Sequence, residues 1–174
     1  MRVLVLCSGG KDSSYATWWS MMRGWDVTGI VTVRITDSDS LMFQVPSTAL
    51  AGLQAASAEI PWLPISIDGH EDTEMQMLEQ ALEPVVMGSR KKRSGIWSAD
   101  ELDSAQWPEN LTWPEHLTRL RPSEPIDALV VGALRSDYQK TRIERMCHRL
   151  GIKSFCPLWH HDCISHMHDL VNHN

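Results

Sequence analysis

Six consecutive residues, Ser8-Gly9-Gly10-Lys11-Asp12-Ser13, carry the densest chemistry in the chain. Gly9 and Gly10 have no side chains, so backbone N–H groups there can approach a ligand closely. Ser8 and Ser13 add hydroxyl donors and Lys11 adds a positive charge. This set suits an anion, most naturally a phosphate, although the same turn also serves as an ordinary tight connection. Asp12 has the wrong sign for a bare phosphate. It fits either a magnesium ion held between a carboxylate and phosphate oxygens or the N-cap of a following helix. A Walker-type loop is excluded, because Lys11 precedes Asp12 rather than Ser or Thr and position 5 is Val. The GxGxxG dinucleotide fingerprint is absent as well.

A second group follows Gly132, where Ser136, Asp137, Tyr138, Gln139 and Arg142 fall close together. Ser136 or Asp137 alone reads as a helix cap. Tyr138 and Gln139 can hydrogen-bond a substrate, and the planar fork of Arg142 can grip phosphate or carboxylate. Glu144 suits a surface ion pair.

These groups need elements to hold them. Val3 to Cys7 reads as a short buried strand. Ser13 to Arg23 reads as a helix with Tyr15, Trp18, Trp19 and Met22 on one side, stopped by Gly24. Asp26 to Val33 is a second strand, followed by a loop with Asp37 and Asp39, then a helix from Thr48 to Ala58. Trp62 to Ile67 is a third strand. Glu71 to Glu83 is a helix with Met75, Leu78 and Leu82 at helical spacing, ended by Pro84. Ile126 to Val131 is a fourth strand, followed by a helix over Thr141 to Leu150 and a short strand at Lys153 to Phe155. Strands alternating with helices predict an α/β fold, a five-stranded parallel sheet with helices on both faces. Ligands bind such sheets at the carboxyl ends of the strands, where both polar groups fall.

Composition bounds the partners. The chain has 174 residues, 43% hydrophobic and 22% charged, which are values of a globular domain. A net charge of −6 argues against a broad basic surface for nucleic acid, so no direct nucleic-acid contact is expected. Cys7, Cys147, Cys156 and Cys163 form no CxxC pair, which predicts reduced thiols in a cytoplasmic protein. No apolar run has the length of a membrane span.

The six-residue string after an N-terminal strand resembles the signature of the N-type ATP pyrophosphatases, the PP-loop family, which cleave ATP between the α and β phosphates. Ser40-Leu-Met-Phe-Gln-Val-Pro46 and the stretch from Gly132 to Glu144 are similar to the diphthine–ammonia ligase branch of that family. Phe155-Cys-Pro-Leu-Trp159 resembles the branch's Leu-Trp ending. The motifs occur in order and cover residues 1 to about 86 and 126 to 162.

The resemblance implies a Rossmann-like domain of the adenine nucleotide alpha hydrolase type. It implies ATP-dependent conversion of diphthine to diphthamide on elongation factor 2, with ammonium and Mg2+. Carried over residue by residue, Lys11, Asp12 and Arg142 are expected to be catalytic, with Asp12 on the metal. Ser8, Gly9, Gly10, Lys11, Asp12, Ser13, Thr32 and Gly132 are expected to bind ATP, the adenine lying near Val31, Thr32 and Val33. Phe43, Gln44, Ser136, Asp137, Tyr138, Gln139 and Arg142 are expected on the substrate side.

Residues 1–174 are expected to form one such domain with a long insertion at about 88–125, which holds Arg90 to Arg93, Trp97, Trp107, Trp113 and several prolines. The resemblance implies that the family's smaller C-terminal region is missing. Other functions stay open: a non-catalytic or truncated ATP-binding module, and another PP-loop enzyme acting on tRNA. The tail gathers His160, His161, Cys163, His166, His168 and His173 without finger spacing, and is expected to be an amphipathic surface helix with incidental histidines.

Overall fold

The computed structural model describes residues 1–36, 40, 42–43, 48–71, 73–88 and 124–172. Five strands, β1 (Arg2–Leu6), β2 (Asp26–Ile35), β3 (Trp62–Ile67), β4 (Ala128–Val131) and β5 (Lys153–Phe155), form one sheet in the order β3-β2-β1-β4-β5. Every neighbouring pair is parallel. The described helices are α1 (Lys11–Met22), α2 (Thr48–Ser57), α3 (Glu74–Val86), α4 (Asp137–Arg149) and α5 (Cys163–Asn172).

Side chains alternate across a strand, so β1 serves two cores. Leu4 points to one face with Val31, Leu63, Ile65 and Leu129, covered by Leu78, Leu82 and Val85 of α3 and by Ile143 and Met146 of α4. Val3 and Val5 point to the other face, packed with Ala128 and Val130 against Ala16 of α1. Trp62 and Ile30 meet Ala51 and Ala55 of α2 on that second face. The predicted sheet with helices on both faces is the observed one.

Several boundaries differ. β2 continues to Ile35 because Val33 and Ile35 remain in the core and pair with Ile65 and Ile67. α3 begins at Glu74, not Glu71, and runs through Pro84 to Val86. Proline costs a helix one hydrogen bond, but here the buried Leu82, Val85 and Val86 hold the final turn. Gly88, at φ +65°, then turns the chain away. α4 starts at Asp137 rather than Thr141, capped by Ser136.

The largest revision concerns α1, whose buried face is Ser13, Ala16, Thr17 and Ser20, while Met22 is 65% exposed. Tyr15, Trp18 and Trp19 are only half-buried on its other side, because α1 packs so close to β1 and β4 that small side chains are needed beneath it. Thr17 and Ser20 satisfy their hydroxyls on carbonyls of their own helix, Ser13 at 3.0 Å and Ala16 at 2.8 Å. Gln44, Asp37, Asp39, His173 and nearly all of the expected insertion lie outside the described residues.

Candidate nucleotide site

β2 and β4 flank β1, and the helices that follow them cover opposite faces of the sheet. A crevice therefore opens beyond the carboxyl end of β1, the place where open α/β sheets bind ligands. A cavity of about 420 Å3 occupies it. Its floor is Leu6 and Val131, its walls include Val33, Met42, Phe43 and Ile143, and its rim carries Ser8, Gly10 to Ser13 and Gly132 to Ser136, with Gln139.

The glycine loop is shaped by named contacts. Gly9 adopts φ +83°, which only glycine takes without strain. Its N–H points at Cys7 Sγ, 3.4 Å away, and the Cys7 thiol donates to Ser13 Oγ at 3.3 Å. Ser13 in turn donates to the Gly10 carbonyl at 2.9 Å. The Ser13 proton is thus committed to the loop itself. Gly10 is the N-cap of α1 and supplies no side-chain cap. The first backbone N–H groups of any helix lack intrahelical acceptors, so here they meet the cavity with the positive end of the helix dipole.

Asp12 occupies the first turn of α1, which overturns its reading as the N-cap. Lys11 Nζ lies 2.6 Å from Asp12 Oδ1, and Lys11 is 54% exposed. Such a pair contributes little to stability and yields readily to a better anion. Among the lining residues Asp12 is the carboxylate, and Lys11 and Arg135 are the cations. One carboxylate beside a phosphate cradle is a donor set that fits magnesium held largely by phosphate oxygens and water. Among the described residues no group of three His, Cys, Asp or Glu could hold a metal ion by itself.

Other expected residues are distributed around this cavity. Gly132 lies directly under α1, and Phe43 stands in the wall. Ser136 caps α4 by accepting the Gln139 N–H at 3.2 Å, and the Gln139 amide donates to the Met42 carbonyl at 2.9 Å. Thr32 is fully buried, its hydroxyl accepting the Trp62 indole N–H at 2.8 Å, and it does not line the cavity. Asp137 is exposed in the first turn of α4.

Tyr138 and Arg142 stand outside the lining and converge on Glu71, each 2.8 Å from its Oε1, with the Arg142 guanidinium 4.2 Å above the Tyr138 ring. Burial and the bond to Glu71 push the Tyr138 hydroxyl up from its usual range. Nearby Glu74 is fully buried, and burial raises its carboxyl although Ser40 and Arg142 pull the other way. Ser40 donates to Glu74 and accepts the N–H groups of Met42 and Phe43, which pins that wall.

Sequence reasoning missed three residues. Arg135 sits in the same loop as Gly132 and Ser136, and its charge after a central strand was a usable signal. Gln54 of α2 donates to the Gly9 carbonyl at 3.3 Å and accepts from Ser14 at 3.2 Å, strapping the loop from behind. His166, expected at the surface, is 1% exposed and bonds Asp12 Oδ1 at 2.8 Å. Nothing local in the sequence marks it.

Among known proteins, the chain is 28% identical to the diphthine–ammonia ligase of Schizosaccharomyces pombe over 98% of its own length and 25% of that protein's. It is 27% identical to the Rattus norvegicus diphthine–ammonia ligase, covering 91% of this chain and 53% of the relative. For the Homo sapiens diphthine–ammonia ligase the identity is 24%, covering 100% and 59%. The chain therefore spans well under two thirds of these curated relatives. A solved structure, a predicted subunit of tRNA methyltransferase from Methanocaldococcus jannaschii, shares the fold at a TM-score of 0.51 and 19% identity, over 98% of this chain and 74% of that one. The family described as diphthamide synthase N-terminal domain matches residues 1–96 and 109–154. With most of its length matched, the chain belongs to the diphthamide synthase N-terminal domain family.

Proposed function

We propose that this chain carries out the ATP-dependent amidation of diphthine on elongation factor 2, consuming ammonium and releasing AMP and pyrophosphate. The observation that carries the reading is the cavity where the glycine loop, the start of α1, Lys11 and Arg135 meet at the end of β1. Family membership supports diphthine as the acceptor in this reading.

A carboxylate is a poor electrophile, because its charge repels nucleophiles and oxide is a bad leaving group. In the proposed reaction a diphthine carboxylate oxygen attacks the α-phosphorus of ATP. The α–β linkage breaks and pyrophosphate leaves. Ammonia then adds to the acyl carbon of the adenylate, a proton is lost, AMP departs with the bonding pair, and an amide remains.

No nucleophile from the protein is required. Lys11, Arg135 and the N–H groups of α1 take up the charge of the departing pyrophosphate. Ser8 and Gly10 shape the cradle, and Gly132 lets β4 approach it. Val33, Met42, Phe43 and Ile143 keep water from the adenylate, with the adenine beside Val33. Thr32 acts from below, fixing the course of β2 against Trp62. Tyr138 and Arg142, beyond Gln139, serve the acceptor's charged groups, releasing Glu71 to do so. Magnesium, when bound, neutralises phosphate charge, and Asp12 would hold it. The reading places the protein in the cytosol, with no direct nucleic-acid contact. Among the described residues no helix is long and apolar enough to cross a membrane.

The test is incubation of the full chain with diphthine-bearing elongation factor 2, ammonium, ATP and magnesium. AMP and pyrophosphate, formed only when the acceptor is present, are expected. ADP as product would falsify the assignment. ATP binding without turnover would leave a nucleotide-binding module in its place.

A further inference from the structure

We propose that His166 is a positioning residue for Asp12, so that α5 controls the magnesium-dependent part of nucleotide binding. The inference rests on the nucleotide reading above, but its own support lies in α5.

Asp12 Oδ1 has two partners of opposite character. Lys11 Nζ, at 2.6 Å, belongs to the adjoining residue and is half-exposed. It is free to leave for a phosphate. His166 Nε2, at 2.8 Å, comes from 154 positions along the chain and is buried. Its ring is boxed edge-on by Tyr15, at 5.0 Å between centroids, and by His161 at 5.9 Å. Its backbone N–H donates to the Asp162 carbonyl at 2.9 Å, while the Asp162 carboxylate caps α5 on the Ser165 N–H at 2.9 Å. The imidazole therefore cannot leave Asp12 unless α5 moves.

The proton inventory agrees with a donor role. His166 Nδ1 is buried with no hydrogen-bond partner. A proton on Nδ1 would be a buried donor with nothing to receive it, which costs free energy. The single proton of a neutral ring therefore sits on Nε2, directed at Asp12. With Oδ1 held, the carboxylate keeps one orientation after Lys11 has turned to phosphate. A cation that prefers rigid octahedral geometry gains from a ligand that need not be ordered on binding.

The experiment is calorimetric titration of the full chain with a non-hydrolysable ATP analogue, with and without magnesium, alongside thermal unfolding. H166L fills the buried space without a donor, and H166Q restores an amide N–H at similar reach. We expect H166L to lose about tenfold or more in affinity with magnesium, the usual cost of removing a ligand's supporting partner. Affinity without magnesium should stay within about twofold, because the phosphate cradle is untouched, and H166Q should recover most of the loss. Should H166L not fold, H166N replaces it, since its shorter amide falls short of Asp12. Equal losses with and without magnesium, no loss at all, or a Gln variant no better than Leu would each overturn the inference alone. A wild-type chain that binds no nucleotide overturns the parent reading and takes this inference with it.

Discussion

Gly132 and Asp12 are in closer register than any side chain at 132 would permit: a Cβ there would stand 2.7 Å from the Asp12 carbonyl carbon and 2.8 Å from its oxygen. Both atoms are backbone, fixed by the first turn of α1, and cannot swing aside. G132A should therefore displace the start of α1 from the end of β4, costing about 1–3 kcal/mol of stability, as overpacking does. Urea unfolding measures that loss. Nucleotide affinity should fall with it, and a variant as stable and as avid as wild type would show that α1 does not depend on this approach.

Lys11 and Arg142 should separate by function. K11A removes a charge-assisted phosphate contact and should weaken ATP affinity by about tenfold or more. R142A removes a group tied to Glu71 outside the cavity, so ATP affinity should change by no more than about twofold while amide formation falls. Direct titration and product analysis of both variants check this. An R142A affinity loss matching that of K11A would put Arg142 on the phosphates.

Glu74 gives a pH dependence with a definite sign. Its carboxyl is raised in the folded protein by burial, so folding favours the protonated form. That contribution is fully present below the unfolded carboxylate's pKa and is lost as pH rises through the higher folded value. E74Q, permanently neutral, should therefore unfold at higher temperature than wild type at neutral pH, with the gap closing under acid conditions. Thermal melts from neutrality down to pH about 4 give the comparison. A gap that widens in acid would contradict the sign.

Gln54 tests whether the loop is held from behind. Q54L deletes the bonds to the Gly9 carbonyl and the Ser14 hydroxyl. Global stability should fall by about 1 kcal/mol, the usual net worth of such bonds. Amide hydrogen exchange at residues 9–12 should accelerate more than exchange in β1. Unchanged exchange there would mean that Cys7 and Ser13 suffice to hold the loop.

The sheet was legible because β1, β2 and β4 each carry an apolar run bounded by polar or turn residues, and Gly9, Gly10 and Lys11 advertised the loop's chemistry. Boundaries failed where tertiary packing overrode local rules. Pro84 looked like a stop, yet its turn is held by buried Leu82, Val85 and Val86. The aromatic side of α1 stood out in the sequence, yet the narrow space over β1 and β4 takes Ala16 and Ser20. Arg142 looked like a phosphate ligand because its charge and position are visible in sequence, whereas Glu71, which claims it, is 71 residues away. His166 was hidden for the same reason: its role exists only once α5 lies over the start of α1.

The strand order has a consequence for how the protein is made. β1 leaves the ribosome well before β4, yet its Val3 pairs with Ala128 there, and its Leu6 with Val131. One wall of the cavity is thus synthesised more than a hundred residues after the glycine loop. A nascent chain that has emerged only through β3 can pair β1 with β2, but it exposes the other edge of β1 as an open template. Closing that edge demands a long-range contact of the kind that slows folding. ATP, which needs both walls, would bind only the finished sheet and draw late intermediates toward it by mass action. Nucleotide supplied during in vitro translation should accordingly protect full-length chains from proteolysis while leaving chains stalled before β4 as sensitive as before.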